Sequence, residues 1–199
     1  MAPPILLPDL LQLPTADAAR ALLGARLVLG PVAGTIVEAE AYAAEGDAAC
    51  HACRRRTART EIFWGEVGRA YVYLCYGLHW CLNVVAHEPG KGGVVLLRAA
   101  ALETGIELAR KRRRRDDPPE RLASGPARLT QAFAVTGELN GVELKRGPLR
   151  IELAEQPPGA IACGPRIGIT KAIAKKWRFW VAGHPSVSRQ GFGVGSSGC

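Results

Sequence analysis

No run of apolar residues in this 199-residue chain approaches the roughly 18 to 20 needed to cross a bilayer as a helix, which excludes membrane integration. The opening residues, Met1-Ala-Pro-Pro-Ile-Leu-Leu-Pro8, lack a basic stretch and are broken by prolines. They read as an extended arm and not as a secretory signal, so the expected location is cytoplasmic. Acidic residues are in deficit, 18 against 26 Lys and Arg, for a net charge of +8. The surplus concentrates at Arg54–Arg56 and at Lys111–Arg115, and such a surface points to polyanionic partners. The chain shows no internal repeat and no linker composition, and its length fits one domain.

Cysteine is present but lacks the spacing of a metal motif. Six cysteines stand at 50, 53, 75, 81, 163 and 199. In a chain without an export signal they are not expected to form a disulfide framework. Cys50-His-Ala-Cys53 has no second ligand pair at matching spacing, and Cys75 and Cys81 sit inside a strand-like run, so neither metal nor other cofactor is expected.

Among the residues that are there, Gly34-Thr-Ile-Val-Glu-Ala-Glu-Ala-Tyr42 carries the most information. Strand alternation would place Ile36, Glu38, Glu40 and Tyr42 on one face. A buried glutamate is costly unless it has a partner or a task, and an aromatic platform two residues away suggests chemistry on a flat ring. Before it, Thr15 serves as the expected N-cap of a short helix with apolar positions at 18, 19, 22 and 23. After it, residues 43 to 68 form a long loop, of the kind that usually carries function.

Residues 69 to 86 read as a β-hairpin with Tyr76-Gly77 at its tip. An exposed tyrosine on a basic protein is a candidate wedge for parting stacked bases. Tyr71 and Tyr73 share a face behind it, Asn83 can read a purine edge, and His51 can donate or accept a hydrogen bond. A strand from Val94 ends at Arg98, a basic helix follows over Leu102 to Arg114, and a further helix begins at Pro126. Short strands are expected at 142–144, 149–153, 166–169 and 177–181, and the glycine-rich residues 191–199 form a tail too poor in apolar side chains to pack.

Enzymes that act on a base within a duplex extrude it, hold it between aromatic faces and read its edge. The ordered set Val37-Glu-Ala-Glu-Ala-Tyr42, His51, Tyr71-Val-Tyr-Leu-Cys-Tyr-Gly77, Asn83, Leu96-Leu-Arg98 and Ser124-Gly-Pro126 resembles the alkyladenine (3-methyladenine) DNA glycosylase family, over about residues 8 to 188. The resemblance implies an α+β fold: a single mixed domain over 1–190 with a curved antiparallel β-sheet, peripheral helices and a protruding β-hairpin. It implies Glu40 as general base for a hydrolytic water positioned with Arg98 and the backbone of Ile167. It further implies a base pocket of Tyr42, His51, Tyr73 and Asn83, and Tyr76 as the intercalating residue. No cofactor is implied.

The expected activity is monofunctional hydrolysis of the N-glycosidic bond of alkylated or deaminated purines in double-stranded DNA, by a monomer. No lysine stands beside the Glu40 strand as a Schiff-base nucleophile, so an abasic product without strand cleavage is expected. The family commonly carries Thr-Pro-Arg-Asn after the histidine, where this chain has Thr57-Ala-Arg-Thr60, and an aromatic residue is frequent where His79 stands. Two other readings compete. A carbohydrate hydrolase needs carboxylates flanking a bond, whereas same-face strand neighbours about 7 Å apart point in parallel. A non-catalytic nucleic-acid-binding module explains the charge and the aromatics but not Glu40.

Overall fold

The computed structural model describes residues 6–188. Two short helices, α1 (Leu7–Leu11) and α2 (Thr15–Ala21), precede the strands β1 (Arg26–Leu29) and β2 (Val32–Ala43). A single 3-10 turn, Glu61–Trp64, interrupts the long loop before β3 (Ala70–Cys75), β4 (His79–Val85) and β5 (Gly93–Thr104). Helices α3 (Ile106–Arg113), α4 (Pro119–Leu122) and α5 (Pro126–Phe133) follow, then β6 (Leu149–Glu152), β7 (Ile161–Gly164) and β8 (Arg178–Val181). The strands form one antiparallel sheet in the order β3-β4-β5-β2-β1-β6, with β8 paired to β2 and β7 to β8. The mixed α+β architecture is the one implied by the family resemblance.

β2 is the organising strand because three others pair with it. β5 runs along its whole length, while β1 meets residues 32–35 and β8 meets 38–40. Three register shifts interrupt the β2–β5 ladder, between Ala33 and Gly34, between Ile36 and Glu38 and between Glu38 and Ala39. Val37 is the extra residue in β2, and Arg98 and Glu103 are the extra residues in β5. A bulge of this kind breaks simple alternation and re-aims side chains. Ile36 therefore packs in the main core together with Val37, Ala39 and Ala41, and does not share the polar face of Glu38, Glu40 and Tyr42 as alternation alone predicts. At Gly34 the two strands come so close that a Cβ would lie 2.5 Å from the Ala101 carbonyl oxygen.

The core lies between this sheet and the helices. Leu22, Leu27, Leu82, Leu97, Leu122, Leu129 and Phe133 are among its fully buried members. A smaller cluster of Tyr71, Phe63, Val85 and Val94 packs beneath the 43–68 loop.

Several local expectations are revised. Thr15 is the first residue of α2, not its cap, and its hydroxyl donates to the Ala86 carbonyl at 3.0 Å, tying the helix to the end of β4. β5 continues past Arg98 to Thr104 because β2 offers partners that far, and the helix begins only after Gly105 turns the chain at φ 72°. Residues 142–144 contribute an isolated bridge at Glu143, and Arg166–Ile169 is loop, the local strand being β7 instead. Leu7–Leu11 is helical rather than extended, while residues 1–5 and the 191–199 tail lie outside the described residues. Cys50, Cys53, Cys75 and Cys81 are free thiols.

The basic run also has structural work. Arg112 donates to the Ala132 carbonyl at 2.9 Å, in the last turn of α5, where the helix dipole favours a cation. Arg113 donates to the Leu122 carbonyl at 3.0 Å and pairs with Asp117 at 2.8 Å. Those two arginines hold α3 against α4 and α5.

Phe133 is wholly buried, so Phe133→Ala is expected to cost about 3–5 kcal/mol of stability by creating a cavity. Urea unfolding would check this, and a loss below about 1 kcal/mol would contradict the packing described.

Candidate active site

The register shifts on β2 and β5 bring two carboxylates and two guanidinium groups into one buried cluster. Glu38 and Glu40 are both 0% exposed. Glu38 Oε1 accepts from Arg98 Nε at 2.9 Å and from Arg178 Nε at 2.7 Å, and its Oε2 accepts from the Ser188 backbone N–H at 2.8 Å. Burial alone would raise the Glu38 pKa, but Arg98, Arg178 and the Ser188 donor reverse this and hold it below the ordinary carboxylate value. For Arg98, burial acts to lower the pKa and is outweighed by Glu40 and Glu38, leaving it above its ordinary value. Glu38 is thus the structural member of the pair.

Glu40 has a different set of partners. Its Oε1 accepts from the Ile167 backbone N–H at 2.8 Å, and its Oε2 accepts from the Tyr42 hydroxyl at 2.8 Å and from Arg98 Nη1 at 3.3 Å. Each carboxylate oxygen has two acceptor positions, so Oε2 is fully engaged and Oε1 retains one. Burial, followed by the Glu40 charge, keeps the Tyr42 pKa far above its ordinary value, so its hydroxyl remains a donor.

A cavity of about 400 Å³ opens over this cluster, lined by Tyr42, His51, Phe63, Tyr73, Asn83, Arg98 and Ile167 and rimmed by Tyr76. The volume falls within the range of small-molecule sites. Glu40 lies one layer behind the lining, and the three groups that donate to it form part of the wall. Asn83 is buried and its Nδ2 donates to the Tyr71 carbonyl at 3.0 Å. Tyr73 stacks on Tyr71 with centroids 5.2 Å apart. The structure brings Glu40, Tyr42, His51, Tyr73, Asn83, Arg98 and Ile167 together around this cavity.

His51 comes from the long loop and is exposed overall, with its ring packed among aromatic side chains. Its Nε2 is 2.9 Å from the Tyr71 hydroxyl, and its ring meets Phe63 and Tyr73 edge-on, each with centroids 5.3 Å apart. That partial burial, with help from the Arg59 charge, pushes its pKa down to about 4, so it is neutral at pH 7. Beside it, Thr57 and Thr60 close a small turn: the Thr57 N–H donates to Thr60 Oγ1 at 2.8 Å and the two hydroxyls are 3.0 Å apart. Thr57-Ala-Arg-Thr60 thus forms a self-bonded turn in this chain.

Tyr76 sits at the hairpin tip, 89% exposed. Its φ is 50° and that of Gly77 is 70°, with the Leu78 N–H donating to the Cys75 carbonyl at 2.9 Å. Positive φ at both central residues is the type I′ pattern that favours Asn-Gly, and a bulky residue there is strained.

Sequence reading missed Asp47 and Arg166. Asp47 is buried and takes two bonds from Arg166, at 2.6 and 2.7 Å. Arg166 also donates to the Ala41 carbonyl at 2.7 Å and lies over the Tyr42 ring at 4.6 Å from its centroid. It backs one face of Tyr42 and anchors the segment that presents the Ile167 N–H. No local signal marks this pair, whose members are 119 residues apart.

A buried carboxylate beneath an aromatic slot, with an exposed hairpin at the rim, is the equipment of an enzyme that handles single nucleobases. The family model described as methylpurine-DNA glycosylase matches residues 9–185, and the chain belongs to that family. A relative from Frankia casuarinae is 44% identical over 192 residues, covering 90% of each chain. One from Methanoculleus marisnigri is 44% identical, covering 88% of this chain and 94% of its own. One from Rhizobium meliloti is 45% identical, covering 85% and 88%. All three bear the provisional name 3-methyladenine DNA glycosylase. Family membership makes this chain a DNA glycosylase, a hydrolase of the N-glycosidic bond of damaged bases.

Two predictions follow from the charges. Arg98→Ala leaves Glu38 and Glu40 short of a buried partner, with an expected loss of about 3–5 kcal/mol in denaturant unfolding; an unchanged midpoint would contradict the arrangement. For His51, NMR titration should give a midpoint near pH 4, well below about 6.5. Because its folded pKa lies below the unfolded value, its contribution to stability is whole above about pH 6.5 and fades as pH falls towards 4. A midpoint at or above 6.5 would contradict the packing.

Proposed function

We propose that this chain is a monofunctional glycosylase of base excision repair in which Glu40 activates the hydrolytic water. The observation that carries this is the asymmetry of the Glu40 carboxylate, with Oε2 filled by Tyr42 and Arg98 and Oε1 keeping one acceptor position beside the Ile167 N–H. A water admitted between Ile167 and Tyr42 would give its proton to Oε1 as its oxygen attacks C1′ of the sugar. The bond from C1′ to the base nitrogen breaks, and its electron pair leaves with the base. General-base help of this kind is worth about 10²–10⁴-fold.

The extruded base would lie in the cavity against Tyr42 and Tyr73, with His51 and Asn83 at its edge. Tyrosine faces favour cationic N-alkylated purines by about 0.5–2 kcal/mol, and such a base leaves as a neutral molecule. Tyr76 would fill the gap in the duplex, and the strained tip backbone is consistent with a residue kept for contact and not for stability. A second cleft of about 410 Å³ adjoins the cavity, sharing His51 and Tyr76 and carrying Arg54 and Lys171, cations suited to phosphates of a bound strand. No lysine lines the aromatic cavity among the described residues, which supports an abasic product without strand cleavage. We read the protein as a monomer and, from its four free thiols, as one of a reducing compartment such as the cytoplasm.

Duplexes each carrying one lesion test the reading. Release of an alkylated purine with the strand left intact is expected, and binding without release of any lesion base would favour the non-catalytic module. Tyr76→Asn should weaken base flipping in a fluorescent reporter duplex while raising stability by up to about 1 kcal/mol, since Asn tolerates the left-handed conformation; unchanged flipping would remove the wedge role. Lys171→Ala should reduce the slope of log affinity against log salt by about 1, and an unchanged slope would remove Lys171 from the phosphate path.

A further inference from the structure

Three side chains at the root of the β3–β4 hairpin are not used by the hydrolysis. Cys75 and His79 face each other as the last pair of the ladder, and Cys81 stands two residues along β4, opposite Tyr73. All three line the aromatic cavity, and their Sγ and ring nitrogen atoms lie within 4.8 Å of one another. Their spacing along the chain is not that of a zinc motif, which is why sequence reading set it aside. The Tyr76-Gly77 turn brings them together by cross-strand pairing.

Around a tetrahedral ion with bonds of about 2.0–2.3 Å, neighbouring donors are roughly 3.4–3.8 Å apart. Small rotamer changes, of about 1 Å, would close the set, and Cys75 and His79 are only half buried and have room to make them. Two sulfurs and an imidazole form a soft to borderline donor set that suits Zn²⁺ or Co²⁺ and not Mg²⁺ or Ca²⁺. Three protein ligands leave a fourth position for water.

We propose that Cys75, His79 and Cys81 form a thiophilic metal site whose occupation closes the aromatic cavity to the extruded base. On binding, one divalent ion takes the two thiols as thiolates and the neutral imidazole, and two protons pass to solvent. The ion is not a catalyst here, because Glu40 and its donors form a separate set. It obstructs by position: it occupies the wall that also holds Tyr73, whose side chain is hydrogen-bonded to Cys81, and it clamps the root of the hairpin carrying Tyr76. The obstruction rests on the glycosylase reading, whereas the binding does not.

Titrating the full-length protein with Co²⁺ in a thiol-free reductant tests the binding. One equivalent should give near-ultraviolet thiolate-to-cobalt absorption and visible bands of tetrahedral cobalt, both removed by Zn²⁺. Cys75→Ser and His79→Gln should each weaken Co²⁺ binding at least about tenfold, while a Cys50→Ser, Cys53→Ser double variant should keep it. No thiolate band, or a band that survives Cys75→Ser and vanishes in the double variant, would overturn the site. In the second arm, Zn²⁺ should slow lesion excision by the wild type and not by Cys75→Ser, each measured against its own metal-free rate. Saturating Zn²⁺ without slowing would overturn the closing role. If no protein excises any lesion, the glycosylase reading fails while the cobalt arm still decides the site.

Discussion

Arg98 is the constraint around which the rest of this protein is arranged. It is the extra residue at a bulge in β5, where its guanidinium meets Glu38 and Glu40 of the facing strand. Two buried carboxylates on one strand would be prohibitively costly alone, and a single arginine between them, with Arg178 on the far side of Glu38, makes the arrangement tenable. The geometry also divides the two acids. Glu38 is saturated by Arg98, Arg178 and both the N–H and the side chain of Ser188, whereas Glu40 has three donors and an acceptor position left on the oxygen beside Ile167.

The surrounding structure can be understood as support for that one position. β2 is gripped along both edges, by β5 on one side and by β1 and β8 on the other, so the glutamates sit on the most constrained strand of the sheet. The Asp47–Arg166 pair fixes the loop that supplies the Ile167 N–H and backs the Tyr42 ring. Tyr71 holds His51 by its hydroxyl and Tyr73 by stacking. Rigid elements therefore carry the floor and one wall of the cavity, and loops carry its mouth.

Much of this was legible before the structure. The polar face of β2, the hairpin with Tyr76 at its tip, and the pocket set of Tyr42, His51, Tyr73 and Asn83 follow from alternation, turn chemistry and the family resemblance. What sequence could not show were relations set by long-range pairing. The bulge that turns Ile36 into the core, the extension of β5 to Thr104 and the Asp47–Arg166 bond each depend on partners far along the chain. The meeting of Cys75, His79 and Cys81 was hidden by a local cause, the cross-strand pairing of one hairpin, and the run at 111–115 looked purely like a surface although Arg112 and Arg113 bind helix carbonyls.

The central claim is that the Glu40 carboxylate draws the proton from the attacking water. Single-turnover excision of an alkylated purine by Glu40→Gln, with lesion binding measured alongside, tests it most directly. The account predicts binding within a few-fold of wild type and a rate lower by at least about 10². Equal excision rates for the two proteins would contradict it.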